Sequence, residues 1–144
     1  MSLPDPLDDP SFYEHVVEKR ALAWAIDLAV TLVLVLLVVV LSVGLALILT
    51  PLLWAAIAVS YRTVMLTRYG ATLGMLVAAL RLRRLDGGRP DQTLCLWHAV
   101  LHAVSMIFIL PQIGSVTLML VTPRRQALND WLLGTAMINR PARL

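Results

Sequence analysis

The sequence is short of charge, aromatics and cysteine. Charged residues make up 15% of its 144 positions and aromatics 6%, whereas 59% are hydrophobic. With a mean hydropathy of +0.80, that balance excludes an ordinary soluble domain and predicts an integral membrane protein. A single cysteine, Cys95, excludes an intramolecular disulfide. Acids are scarce and lopsided, since five of the nine lie at or before Glu18. No Ser-His-Asp constellation, Gly-rich phosphate loop or catalytic carboxylate pair can be assembled from what is left, so we expect no enzyme and no cofactor. A secretory leader is also missing. The opening MSLPDPLDDPSFYEH has no basic region and carries Pro and Asp, and residues 1–15 read as an acidic, solvated cytoplasmic tail. Without linkers, repeats or low-complexity tracts, residues 16–140 form one membrane domain. The net charge is +3, but the arginines flank apolar runs instead of forming a patch interleaved with stacking aromatics, which excludes nucleic acid as the partner and leaves the lipid bilayer.

What the chain does have is long apolar runs. Lys19 to Val43, KRALAWAIDLAVTLVLVLLVVVLSV, holds its only charges, Lys19, Arg20 and Asp27, in its first third. Arg20 and Asp27 share one helix face about two turns apart, and an acid near mid-bilayer costs on the order of 2.5 to 3.5 kcal/mol unless compensated. That makes Asp27 a candidate functional residue. No charge occurs from Leu28 to Tyr61. As one straight helix this run would be roughly 50 Å long against a ~30 Å hydrocarbon core, so it must turn back. Ser42-Val43-Gly44 and Thr50-Pro51 supply the breakers, placing the turn between Ser42 and Pro51, with Trp54 as an interfacial anchor. The second span then runs to about Tyr69, with Arg62 and Arg68 snorkelling to the headgroups. Lys19, Arg20, Arg62, Arg68, Arg81, Arg83, Arg84 and Arg89 fall on the face opposite the uncharged turn, which makes that face cytoplasmic.

After the second span, Gly70 and Gly74 have the G-x-x-x-G spacing. They read better as a tight turn into an interfacial helix than as a dimer motif, because they sit at a span's end. Leu80-Arg81-Leu82-Arg83 alternates with period two and Asp86-Gly87-Gly88 signals a turn, predicting a short amphipathic hairpin on the membrane surface. The third apolar run, Leu94 to Val121, crosses the membrane or re-enters it. A straight span would leave Arg124, Arg125, Arg140 and Arg143 outside, against the positive-inside bias; a break at Pro111-Gln112-Ile113-Gly114 would return them to the cytoplasm, and we favour that hairpin. The expected fold is therefore all-α: two transmembrane helices as a hairpin, an interfacial amphipathic segment, and a third membrane helix or re-entrant helical hairpin, with cytoplasmic termini. So few spans cover polar side chains poorly. We expect a homo-oligomer or a subunit of a larger membrane complex, with Ala55, Ala56 and Ala58 on a contact face.

Arg20 and Asp27 are about 10 Å apart along a helix axis and each wants a partner from elsewhere. The segment from Thr122 to Thr135 offers Asp130 for Arg20, and Arg124 or Arg125 for Asp27. Three segments, KRALAWAID, YGATLGMLVAALRLRRLDGGRP and RQALNDWLLGT, in this order from about Lys19 to Ile138, resemble the RDD family of small bacterial membrane proteins. The resemblance implies that its one Arg and two Asp are Arg20, Asp27 and Asp130, that the chain sits in a bacterial cytoplasmic membrane, and that it transports ions or small ligands. The alternative is an accessory subunit whose buried charges fix helix packing. Relatives often carry a Lys after T-L-G and a His before the Asp, where this chain has Met75 and Asn129. His98 and His102, spaced i, i+4, are weak metal candidates, lacking a supporting third ligand, and read better as a polar stripe.

Overall fold

A computed structural model describes residues 3–140; Met1, Ser2 and residues 141–144, with Arg143, lie outside the described residues. Helix α1, Val16–Leu41, is about 39 Å long. Its buried positions, Val16, Ala23, Asp27, Thr31 and Val35, recur at i+4 and i+7 and form one stripe. Leu22, Leu28, Leu32, Leu36 and Val40 on the remaining surface are exposed. The acid faces in and the leucines face out, as a helix surrounded by lipid requires. A turn closed by Ser42, whose Oγ donates to Val39 O and accepts from Ala46 N, and a short 3-10 segment Leu45–Leu49 lead into α2, Thr50–Tyr69. The reversal thus lies between Ser42 and Pro51. Two stretches are long and apolar enough to cross a membrane, Pro10–Leu41 and Leu45–Tyr69.

Gly70, at φ +67°, ends α2, and the chain turns at once into α3, Leu73–Val77. Gly74 is where α3 meets α1. A Cβ there would stand 2.0 Å from the Ala23 carbonyl oxygen, so only glycine permits the approach. The G-x-x-x-G spacing serves packing within the chain.

Strand β1, Leu80–Arg84, corrects the expected local hairpin. Its partner is β2, Thr135–Asn139, at the far end of the chain, antiparallel with Leu82 opposite Met137. The period-two pattern is real, but the Asp86 turn leads away to α4 instead of to a pairing strand. The fold is accordingly mostly helical with a two-stranded sheet and not all-α. Leu80, Leu82 and Met137 face a core with Val16, Ala23, Leu66, Met75 and Cys95, while Ala136 and Ile138 on the other face of β2 pack against Leu3 and Tyr13. Residues 3–15 are therefore anchored at Leu3 and Tyr13, while Asp5 and the stretch from Leu7 to Ser11 stay exposed. Leu3 N donates to Leu85 O, and Asn139 Nδ2 donates to Ser11 O and Glu14 O.

Helix α4, Gln92–Ile107, capped by Asp91, meets α5, Ile109–Val121, at a 116° bend. The break stands at Phe108, not at Pro111 to Gly114. Pro111 is the cause: it has no N–H for the Ile107 carbonyl and its ring collides with that oxygen, so the helix fails one turn before the proline. Helix α6, Leu128–Leu133, precedes β2. Helix α2 packs along both α1 and α4, which barely touch each other.

Candidate functional site

The buried charges form two nodes. At the first, Arg20 Nη1 donates to Asp130 Oδ2 over 2.6 Å, and the Ala127 backbone N–H, 3.1 Å away, donates to the same oxygen. Oδ1 faces His98 Nε2 at 2.8 Å and the Thr135 hydroxyl at 3.3 Å. Asp130 and His98 are fully buried and Arg20 nearly so. Burial alone would raise the Asp130 carboxyl, but the Arg20 charge beside it, helped by His98 and the Ala127 N–H, holds it well below the usual carboxylate range. An ionised carboxylate only accepts, so the His98 Nε2 proton points at Asp130. Asn129 Nδ2 lies 3.1 Å from the same ring nitrogen, and His98 Nδ1, on the other edge, is buried without a partner among the described residues.

The second node is Asp27. The Tyr61 hydroxyl donates to its Oδ1 over 2.8 Å, and the Gly74 N–H donates to that oxygen over 3.0 Å; the Thr72 hydroxyl donates to Oδ2 over 2.6 Å. Thr72 also caps α3 by accepting from Met75 N, so one side chain starts the helix and holds the acid. Arg62 Nη1 is 3.7 Å from Asp27 Oδ2, an ion pair too long to be a hydrogen bond.

Arg20 and Asp130 are thus paired, whereas Asp27 belongs to a separate set contributed by α1, α2 and the turn into α3. The expected counter-charges for Asp27 lie elsewhere. Arg125 Nη1 donates to Leu120 O at the end of α5, and Arg124 lies beside Tyr13. The arginine at Asp27 is Arg62, which does not snorkel out to the headgroups, since its side chain is only 11% exposed. Arg62, Tyr61, Thr72 and Gly74 escape sequence reasoning because a span's end hides which polar groups turn inward. Where the His before Asp130 is missing, α4 brings in His98 as a partner of the acid. Among the described residues no group of three or more His, Cys, Asp and Glu side chains is placed to hold a metal ion.

Two half-open cavities lie between α1 and α4. The larger, about 650 Å³, is walled by Trp24, Leu28, Trp54, Ile107 and other apolar groups, with Asp27, Arg62 and His102 among its lining. The smaller, about 330 Å³, is lined by Arg20, Arg62, His102, Gln112, Ser115 and Asn129, with no carboxylate. Trp24, Arg62, His102 and Met106 line both and form the wall between them.

No curated protein and no solved structure matches the chain. A family model described as the RDD family matches residues 16–134, a span that contains both buried nodes except for Thr135. With Arg20, Asp27 and Asp130 all inside that match, and two helices long and apolar enough to cross a bilayer, the chain belongs to the RDD family and is a membrane protein.

Proposed function

We propose that this chain sits in a bacterial cytoplasmic membrane with both termini on the cytoplasmic side, and that it carries ions or small ligands along the two cavities between α1 and α4. The observation that carries the reading is Arg62. Its side chain is nearly buried, it stands in the wall common to both cavities, and among the described residues its Nε is buried without a partner and its charge is paired with Asp27 at 3.7 Å. A nearly buried guanidinium whose Nε is unpaired and whose charge is balanced only at 3.7 Å is costly to keep, and such a cost is tolerated where a passing ligand satisfies it. In this reading the α4–α5 pair re-enters: at 16 and 13 residues, bent by 116°, neither arm alone spans a ~30 Å core. No catalytic step and no cofactor is part of it.

Asp27 and Asp130 act as struts. Each carboxylate already accepts three or more hydrogen bonds, leaving little room for a carried cation. The same filled acceptors favour a second reading, an accessory subunit that self-associates or docks on a larger membrane complex, with Ala55 and Ala58 beside the open cavity as the contact face. Flux assays in proteoliposomes, run over candidate ions and pH gradients with wild type, Asp27→Asn and Arg62→Gln side by side, separate the two. Transport predicts flux that falls to background in Arg62→Gln. Equal background flux in all three, together with an oligomer or a co-purifying membrane protein in mild detergent, assigns the accessory role.

A further inference from the structure

The two cavities differ in kind, and the difference matches the two ends of one molecule. In the smaller, two guanidiniums, a histidine, a glutamine and an asparagine line the wall with no acid among them. Arg20 and Arg62 are each balanced by a carboxylate behind that wall, Asp130 and Asp27, so what the chamber itself presents is hydrogen-bond donors with no acid facing them, which suits a phosphate. The larger is lined mostly by two tryptophans and aliphatic side chains, with Asp27, Tyr61, Arg62 and His102 also on its wall, and is half open between α1 and α4, which barely touch each other. Arg20 lies near the start of α1 and Leu28 and Thr31 two to three turns further in, so the polar chamber is at the Arg20 end of the helix and the apolar one deeper along it. A phospholipid of the leaflet on the Arg20 side has that polarity.

We propose that the paired cavities bind an anionic phospholipid that enters sideways between α1 and α4, with its phosphate between Arg20 and Arg62 and an acyl chain along Trp24 and Trp54. Arg20 spends Nη1 on Asp130, which leaves its other N–H groups for the ligand, and Arg62, whose Nη1 stands 3.7 Å from Asp27 without a hydrogen bond, offers the end of its guanidinium. A soluble phosphate would occupy the polar chamber and leave the apolar one unused. This deepens the transport reading by naming the ligand, and it is measured as binding without flux, so either can fail alone.

Trp24 borders both cavities and Trp54 the larger, which makes tryptophan fluorescence the readout once Trp97 and Trp131, exposed and on neither cavity, are replaced by Phe throughout. The protein is placed in phosphatidylcholine vesicles containing a brominated-chain lipid, either phosphatidylglycerol or phosphatidylcholine at the same mole fraction. The expected result is that brominated phosphatidylglycerol half-quenches at a mole fraction lower by roughly tenfold, the effect of one charge-assisted contact to phosphate. Arg62→Gln should abolish that preference, Arg62→Lys should keep part of it, and Arg68→Gln, which alters an exposed arginine on the same helix, should leave it intact. Circular dichroism establishes that each variant is folded. Equal quenching by both lipids overturns the proposal, and so does an equal loss in Arg68→Gln, which would reduce the preference to general surface charge. Tryptophans shielded from both brominated lipids would mean that a protein helix fills the groove. A saturable, Arg62-dependent change on adding inorganic phosphate, with no lipid preference, would assign a free anion in place of the lipid.

Discussion

Arg20 and Asp130, separated by 110 positions in sequence, meet over 2.6 Å and close the first turns of α1 onto α6. The bond fixes where the C-terminal segment returns, and β2 follows it directly into the sheet with β1. Breaking the pair from one side strands a nearly buried charge. Asp130→Ala, which also deprives His98 and Thr135 of their partner, should cost roughly 3–5 kcal/mol. Arg20→Met combined with Asp130→Leu should cost less than the two single changes added together, because neither charge is then left alone. Thermal unfolding in detergent gives the comparison, and strictly additive losses would mean the pair is not coupled.

The acid side of the stability profile belongs to Asp130. Its carboxyl is held below the usual carboxylate range in the folded chain, so the stabilisation is complete above the ordinary unfolded value of about 4 and is lost as pH falls below it toward the folded value. The midpoint of thermal unfolding should be level from pH 7 to about 5 and drop beneath about 4. In Asp130→Asn the drop should be shallower. An equally steep fall in that variant would move the acid sensitivity to another group.

Gly74 and Gly114 make a matched test of packing. A methyl at Gly74 meets the Ala23 backbone at 2.0 Å, which cannot be relieved by a side-chain rotation, whereas nothing lies within 4 Å of one at Gly114. Gly74→Ala should destabilise by about 1–3 kcal/mol or more, and Gly114→Ala should be neutral or stabilise by up to about 1 kcal/mol. Equal effects at the two positions would remove the close contact of α3 with α1.

How far the sequence carries depends on whether a signal is local. The turn between Ser42 and Pro51 and the end of α2 near Tyr69 are written in breakers beside the residues they act on. Pro111 is a true signal read one turn late, since a proline disrupts the carbonyl four residues before itself. Arg20 with Asp130 was open to reasoning because opposite buried charges must find each other. The strand pair was not: Leu80 to Arg84 shows the period of a strand but not its partner, and nothing local selects Thr135–Asn139 over a nearby segment. Arg62 was misjudged for a related reason, because at the end of a span the same arginine can reach headgroups or turn inward, and only the position of Asp27, a helix away, decides it.

The register of that strand pair predicts a cross-link. In a Cys95→Ser background, Leu82→Cys and Met137→Cys stand directly opposite each other, at the ~4.5–5.5 Å Cα separation that a disulfide accepts. Mild oxidation should join them within one chain, seen as a shift on non-reducing electrophoresis. Leu82→Cys with Asp91→Cys, the pair that a local hairpin turning at Asp86-Gly87 would set opposite each other, should remain reduced. The opposite result would restore the hairpin.

The bend at Phe108 decides how the chain ends in the membrane. If α4 enters and α5 returns, Arg89 before α4 and Arg125 after α5 lie on one side, and the 42–49 turn lies on the other. Single cysteines at 46, 89, 109 and 125 in the Cys95→Ser background can be labelled with an impermeant maleimide on intact cells and on inverted vesicles. Positions 89 and 125 should react only from the cytoplasmic side and position 46 only from the opposite one. Position 109, at the tip of the bend and flanked by Phe108 and Leu110, should react poorly from both, because a maleimide needs water to reach a thiolate and the tip is within the bilayer. Labelling of position 125 from the same side as position 46 would make α4 and α5 a bent crossing, and would put Asp130 and Arg20 on opposite sides of the membrane, which their 2.6 Å bond forbids.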